Sequence, residues 1–250
     1  MKGYFNTEYP TVDYLRDKSK KRIPKFAFEY LDGGCNELTN LRKNTEDIRK
    51  VELAARYLDN FQRVNLKTEL FGHVYDAPYG IAPIGLQGLI WPNSPEILAR
   101  AAVKYNIPFI LSTGSTASIE TIAEITEGQT WFQLYHPAKQ DLTEDILKRA
   151  QAAGIQVLVI PSFGYRALDI KNGLSMPPKM SIRNMLQVLA NPSWAFNTLK
   201  NGQPSFKTLK PYMANHFNLS QLGKFMDETF SGRLNVDRIS RLRDLWKGKL

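Results

Sequence analysis

Four short apolar stretches in the middle of this chain each end in residues suited to meeting a flat polar ligand or an anion. The first runs into Ala82-Pro83-Ile84-Gly85-Leu86-Gln87, where small residues let the backbone come close to a planar ring. The second ends in Leu111-Ser112-Thr113-Gly114-Ser115, a cluster of hydroxyls. The third ends in Phe132-Gln133-Leu134-Tyr135, and strand alternation puts Gln133 and Tyr135 on one side. The fourth, Val157 to Ile160, leads through Pro161-Ser162-Phe163-Gly164 to Tyr165 and Arg166, and an arginine there could clamp an anionic substrate. Each feature has a plainer alternative: a turn glycine, a helix-capping serine, a packed tyrosine or a solvated loop arginine. Their appearance together, in this order, is the informative part.

Such strand ends meet only if the strands are parallel and joined by helices. Val157 to Ile160 is four apolar residues in a row, as expected of a strand buried on both faces. The βα rhythm begins with a strand over Tyr79 to Ile84 and a helix from Pro95 to Tyr105, with proline in its tolerated first turn. A strand over Pro108 to Leu111 and a helix over Ser118 to Ile125 follow, then a strand over Thr130 to Leu134 and a helix over Gln140 to Ala153. Single helices between strands imply right-handed parallel crossovers. No Gly-x-Gly-x-x-Gly follows the first strand, which argues against a doubly wound nucleotide fold. Upstream, Thr11 to Tyr30 reads as helical with a new turn at Pro24, and Asp32-Gly33-Gly34 breaks it. Asn36 to Ala55 reads as another helix, and Leu66 to Tyr75 as a hairpin around Phe71-Gly72. From Ser162 to Arg233 the segment is rich in Pro, Asn, Ser, Lys and Gly and reads as a long loop. Asn235 to Trp246 recovers helical periodicity.

The expected architecture is therefore α/β, of the (β/α)8 barrel type, with about the first four of its eight units present. Residues 1–250 make one incomplete domain: N-terminal helices and hairpin over 1–78, barrel strands one to four over 79–161, a long loop over 162–233, and a helix with a truncated end over 234–250.

Composition narrows the function. Hydrophobic content of 43% and charge of 23% suit a globular protein, and no apolar run is long enough to span a bilayer. The single Cys35 excludes an internal disulfide or a multi-cysteine metal site, which points to a reducing, cytoplasmic setting. The net charge of +9 is concentrated in residues 151–250, but no nucleic-acid motif accompanies it, so no nucleic-acid partner is expected.

The chain resembles the FMN-dependent 2-hydroxy-acid oxidases and dehydrogenases, the family of glycolate oxidase and L-lactate dehydrogenase. The resemblance rests on Phe28-Glu29-Tyr30 with Gly33-Gly34, on Gly80-Ile81-Ala82-Pro83, on Leu111-Ser112, on Phe132-Gln133-Leu134-Tyr135, and on Gly164-Tyr165-Arg166 followed by Asp169-Ile170-Lys171-Asn172. It implies FMN as cofactor, with the backbone at Pro83, Ile84 and Gly85 facing the flavin and Ser112 and Gln133 bonding its ring. It implies a small 2-hydroxy acid as substrate, held by Tyr30, Tyr135 and Arg166, and a homo-oligomeric assembly. No metal is implied.

Two departures from the family's pattern stand out. The family's fourth strand continues for about four more residues before its proline, an even number that keeps the strand's in/out phase. Those residues carry a Thr near the flavin and an Asp that orients the catalytic His; here Ile160 joins Pro161 directly. The family's flavin-contacting Lys, its catalytic His and its phosphate-binding loops lie on later strands, and His73, His136 and His216 do not replace them. The expectation is a 2-hydroxy-acid oxidoreductase that is incomplete and inactive as it stands. The alternative is a non-catalytic flavin-fold relative, or a degenerate fragment, that acts by binding.

Overall fold

The computed structural model describes residues 6–58, 64–161, 167–174, 180–213, 225, 228–230 and 234–250. Helix α1 spans Val12–Arg22 and α2 spans Lys25–Asp32, separated at Pro24. The first buries no side chain, whereas α2 buries Phe26, Ala27 and Phe28. Helix α3, Thr39–Arg49, also buries nothing. It stops six residues short of the expected end at Ala55, because no neighbour rewards a longer apolar stripe.

The hairpin forms as expected, with β1 Thr68–Leu70 antiparallel to β2 His73–Tyr75. Phe71 (φ 55°) and Gly72 (φ 86°) are both left-handed, the turn whose twist matches a two-residue hairpin. The Phe71 ring meets Trp131 edge-on with centroids 5.1 Å apart, and Trp131 Nε1 donates to Tyr75 Oη at 3.1 Å. Trp131 opens a central strand, so the hairpin covers the end at which the strands start.

Those strands are β3 Ile110–Ser112, β4 Trp131–Gln133 and β5 Val157–Val159, parallel and adjacent in that order. Their register aligns Leu111, Phe132 and Leu158 on one face and Ser112, Gln133 and Val159 on the other. The apolar face joins one core with Ile119 and Ile122 of helix α5 (Ile119–Thr126) and Ile146, Leu147 and Ala150 of α6 (Gln140–Ala152). Helix α4, Ser94–Lys104, packs on α5. Ser118 caps α5 by accepting from Thr121 N at 3.1 Å.

The structure departs from expectation in two further places. Tyr79 to Ile84 is not a full strand: Ile81 alone bridges Phe109, in parallel, through bonds of 2.8 and 3.0 Å. Pro78 and Pro83 lack the N–H that would extend the ladder. The segment 162–233 is not a continuous loop. It contains α7 Ala167–Lys171, α8 Ile182–Leu189 and α9 Pro192–Asn201. Ser181 caps α8 by accepting from Asn184 N, and Pro192 starts α9, so local start signals prevail over a loop-like composition. Trp194 of α9 packs edge-on against Phe26 of α2 and donates to the carbonyls of Leu89 and Ile90.

Helix α10, Val236–Leu245, follows, and Lys249 then bridges Val157 on the free side of β5. Gly248 makes this approach possible, since a Cβ there would stand 2.1 Å from the Gln156 carbonyl oxygen.

Candidate functional site

The ends of β3 and β4 are tied by their own polar side chains. Ser112 Oγ donates to Gln133 Oε1 at 2.8 Å and accepts from Gly114 N at 3.2 Å. Both residues are buried, and among the described residues Gln133 Nε2 has no hydrogen-bond partner. Thr113, wholly buried, braces the same junction: its Oγ1 donates to the Gln133 carbonyl at 2.6 Å and accepts from Tyr135 N at 3.0 Å. Thr113 was legible only as one hydroxyl in a cluster, since strand alternation turns it away from Ser112.

The Pro83–Gly85 segment lies against this junction. Leu86 N donates to the Gly114 carbonyl at 2.6 Å, and the Gly85 Cα lies 3.6 Å from where a Cβ on Gly114 would stand. Gly88 is required nearby, because a Cβ there would be 2.7 Å from Thr116 Oγ1. Tyr30 reaches over from α2, and its hydroxyl donates to the Gly85 carbonyl at 2.8 Å. The Tyr135 ring edge comes within 3.7 Å of the same Gly114 position and packs edge-on against Phe230. Tyr30, Gly85, Gly114 and Tyr135 thus form a contiguous row beside the Ser112–Gln133 pair. Pro83 and Ile84 are half-buried at its edge, and Arg166 lies outside the described residues.

Helix α2 is held in place from the segment after β5. Asn172 Nδ2 donates to Glu29 Oε2 at 2.7 Å, and Asn184 Nδ2 donates to the Asn172 carbonyl at 2.8 Å. Gln187 Oε1 accepts from Phe26 N at 3.0 Å. Glu29 and Asn172 belong to the stretches that carry the resemblance, but nothing in the sequence pairs them, or Gln187 with Phe26, because these partners are more than 140 residues apart.

The histidines stand apart from the row. His73 pairs through Nε2 with Asn106 Oδ1 at 3.1 Å under the hairpin. His136 bonds through Nδ1 to the Pro137 carbonyl at 2.8 Å and lines a cleft with Arg238 and Arg241. Burial lowers its pKa and the two guanidinium charges push the same way, while the Pro137 bond partly offsets them. His216 lies outside the described residues. No cluster of His, Cys, Asp and Glu among the described residues could hold a metal.

This arrangement offers one buried amide donor to a polar ring edge, close backbone to its face, and tyrosines beside it. An uncompensated buried donor of this kind fits a bound heterocycle with acceptor atoms on its rim.

The profile of the FMN-dependent dehydrogenase family matches residues 19–250. The L-lactate dehydrogenase of Pectobacterium atrosepticum is 34% identical over 245 residues, covering 96% of this chain and 63% of that protein. The L-lactate dehydrogenase of Yersinia pestis strain Pestoides F is 33% identical, with 96% and 64% covered. Among solved structures, the monotopic membrane protein (S)-mandelate dehydrogenase superposes with a TM-score of 0.86 at 30% identity, over 96% of this chain and 64% of that one. The chain therefore spans a little under two thirds of the length of the relatives it matches.

Proposed function

This chain belongs to the FMN-dependent dehydrogenase family, and from that premise we propose that it supplies the ring-binding and substrate-facing wall of an enzyme that oxidises a small L-2-hydroxy acid, such as lactate or glycolate, to the 2-oxo acid. The observation that carries this reading is the Ser112–Gln133 pair, whose Nε2, without a partner among the described residues, is buried at two neighbouring strand ends beside Tyr30, Gly85 and Tyr135. FMN, when bound, supplies the acceptor for the hydride on the substrate's α-carbon. Ser112 and Gln133 would hold its ring, and the backbone of Pro83, Ile84 and Gly85 would lie against its face. Tyr30 and Tyr135 would orient the hydroxy acid, and Arg166 would pair in bidentate fashion with its carboxylate. The parallel strands would be the opening units of an eight-stranded barrel within a single domain.

The hydroxyl proton needs a base. His73 is engaged under the hairpin and His136 turns to its neighbour's carbonyl. We place the base on neither, and the 250 residues alone should turn over no L-lactate or glycolate. A second reading, a flavin-fold relative that binds without turnover, draws on β5, which ends at Val159 with no carboxylate from there to Arg166 to orient a base. The exposed, unpaired Cys35 keeps the cytoplasm as the expected compartment.

Titration of the purified chain with FMN, followed by flavin fluorescence, tests the wall. Binding should be weak, and Gln133→Met should weaken it at least a further tenfold. Saturable binding indifferent to Gln133 would place the ring elsewhere, and robust flavin reduction by L-lactate would show that a base is present.

A further inference from the structure

Helix α10 turns a mixed face inward. Arg238, Arg241, Leu242 and Leu245 fall at i, i+3, i+4 and i+7, the spacing of a core-facing stripe, and all four line one cleft. The inner part of the stripe is apolar, with Leu242 in the main core. The outer part is cationic. Asn235 Oδ1 accepts from Arg238 N at 2.9 Å, so the turn that carries Arg238 is capped and fixed. The facing wall is made by His136 and the first turn of α6, which follows Lys139 without a side-chain cap.

The cleft holds a cationic donor that nothing in it uses. Arg238 Nη1 is buried and has no hydrogen-bond partner among the described residues. Leaving a buried guanidinium nitrogen unmatched is costly, and an ion or ligand that accepts from it removes the cost. Its neighbours are engaged elsewhere. Gln140 Nε2 donates to Glu144 Oε1 at 2.9 Å, and Thr143 Oγ1 donates to the Lys139 carbonyl at 3.1 Å. His136 spends Nδ1 on the Pro137 carbonyl, which leaves Nε2. No carboxylate lines the cleft, and among the described residues neither arginine forms an ion pair. The cleft measures about 110 Å³. A single water needs only about 10–15 Å³, so there is room for a small polyatomic ion.

Two guanidinium groups and an imidazole converge here from two walls. That arrangement suits a tetrahedral oxyanion better than a flat carboxylate, because its oxygens point to several sides at once. We propose that the cleft between α10 and the start of α6 binds a phosphate-type oxyanion, either inorganic phosphate or the phosphate group of a small monoester, with Arg238 and Arg241 as its principal ligands. The inference stands independently of flavin binding or turnover, since the cleft shares no residue with the row beside Ser112 and Gln133.

Isothermal titration calorimetry of the full 250-residue chain tests it, with inorganic phosphate, methyl phosphate and acetate as separate probes at constant ionic strength. Phosphate should bind saturably at one site, and acetate should bind about tenfold more weakly or worse. Tighter binding of methyl phosphate would assign a monoester and tighter binding of the free ion would assign inorganic phosphate; either supports the site. Arg238→Gln with Arg241→Gln should weaken phosphate binding about tenfold or more, and Arg241→Gln alone, at an exposed position, about threefold or more. Without phosphate the double variant should melt no lower than the parent, because it removes an unmatched buried cation. Saturating phosphate should raise the melting temperature of the parent, sodium chloride of equal ionic strength should not, and the double variant should show no rise. Phosphate binding indifferent to both arginines would overturn the proposal. So would a rise in melting temperature that chloride reproduces, or acetate binding as tight as that of phosphate.

Discussion

Ser112 Oγ donates to Gln133 Oε1 across the step from β3 to β4, and that one 2.8 Å bond decides which end of the amide is left over. With Oε1 engaged by a hydroxyl, the leftover group is the donor, Nε2, and it is buried. The pair therefore selects for a ligand rim that accepts hydrogen bonds.

The same pair predicts a trade between stability and binding. A buried donor without a partner costs about 1–3 kcal/mol, while a typical hydrogen bond contributes about 1 kcal/mol. Gln133→Met removes the orphan and loses one bond, so the flavin-free variant should unfold in urea at a midpoint no lower than the parent. A clearly lower midpoint would mean that Nε2 already has a partner in solution.

Tyr30→Phe tests the hydroxyl that reaches Gly85. It removes the 2.8 Å donation to the Gly85 carbonyl and leaves the ring in place. The expected cost is about 0.5–1.5 kcal/mol, read as a lower denaturant midpoint at unchanged slope. An unchanged midpoint would show that water replaces the hydroxyl without loss.

Gly248→Ala should be far more damaging than its exposed surroundings suggest. The added methyl would stand 2.1 Å from the Gln156 carbonyl oxygen, which is backbone and cannot rotate away. Separating the two segments would break the bonds from Lys249 N to Gln156 O and from Leu158 N to Lys249 O. A loss of about 2 kcal/mol or more is expected by thermal melting.

His136 sets a pH dependence whose sign follows from its surroundings. Its folded pKa is lowered by burial and by Arg238 and Arg241, so the unfolded chain binds the proton more readily. The stability linked to it is present above the ordinary histidine value near ~6.5 and is lost as pH falls below that value. His136→Asn should make the melting temperature fall less steeply between about pH 7 and pH 5. Glu120 acts in a separate window: Arg149, bonded to it at 2.8 and 3.1 Å, lowers its pKa, so its contribution is lost only at more acid pH.

Where local chemistry decides structure, it could be read from residues. Ser118 announces α5, Phe71-Gly72 announces the hairpin turn, and the apolar runs around Leu111, Phe132 and Leu158 announce the parallel strands. Tyr79 to Ile84 has a strand's composition but not its donors, because prolines at 78 and 83 interrupt the ladder. Helix α8 carries a clear apolar stripe, yet composition over 162–233 hides it, and no sequence rule says that the stripe faces outward. In the candidate site, alternation places Gln133 and Tyr135 on one side of β4. The orphaned Nε2 is different in kind, because it depends on which amide atom a neighbouring strand engages. Arg166 lies outside the described residues, so its place beside Tyr30 and Tyr135 remains the expectation drawn from resemblance.

The bond between Phe26 and Gln187 also bears on how the chain assembles during synthesis. Its partners are 161 residues apart, and the Asn172–Glu29 bond spans 143. At roughly 5–20 residues per second, the helix that carries Tyr30 leaves the ribosome about ten to thirty seconds before its seat exists. Through that interval the side chains of Phe26 and Phe28, buried in the finished fold, are without their final partners. The Tyr30 side of the site is thus closed late, although Tyr30 itself is among the earliest residues made.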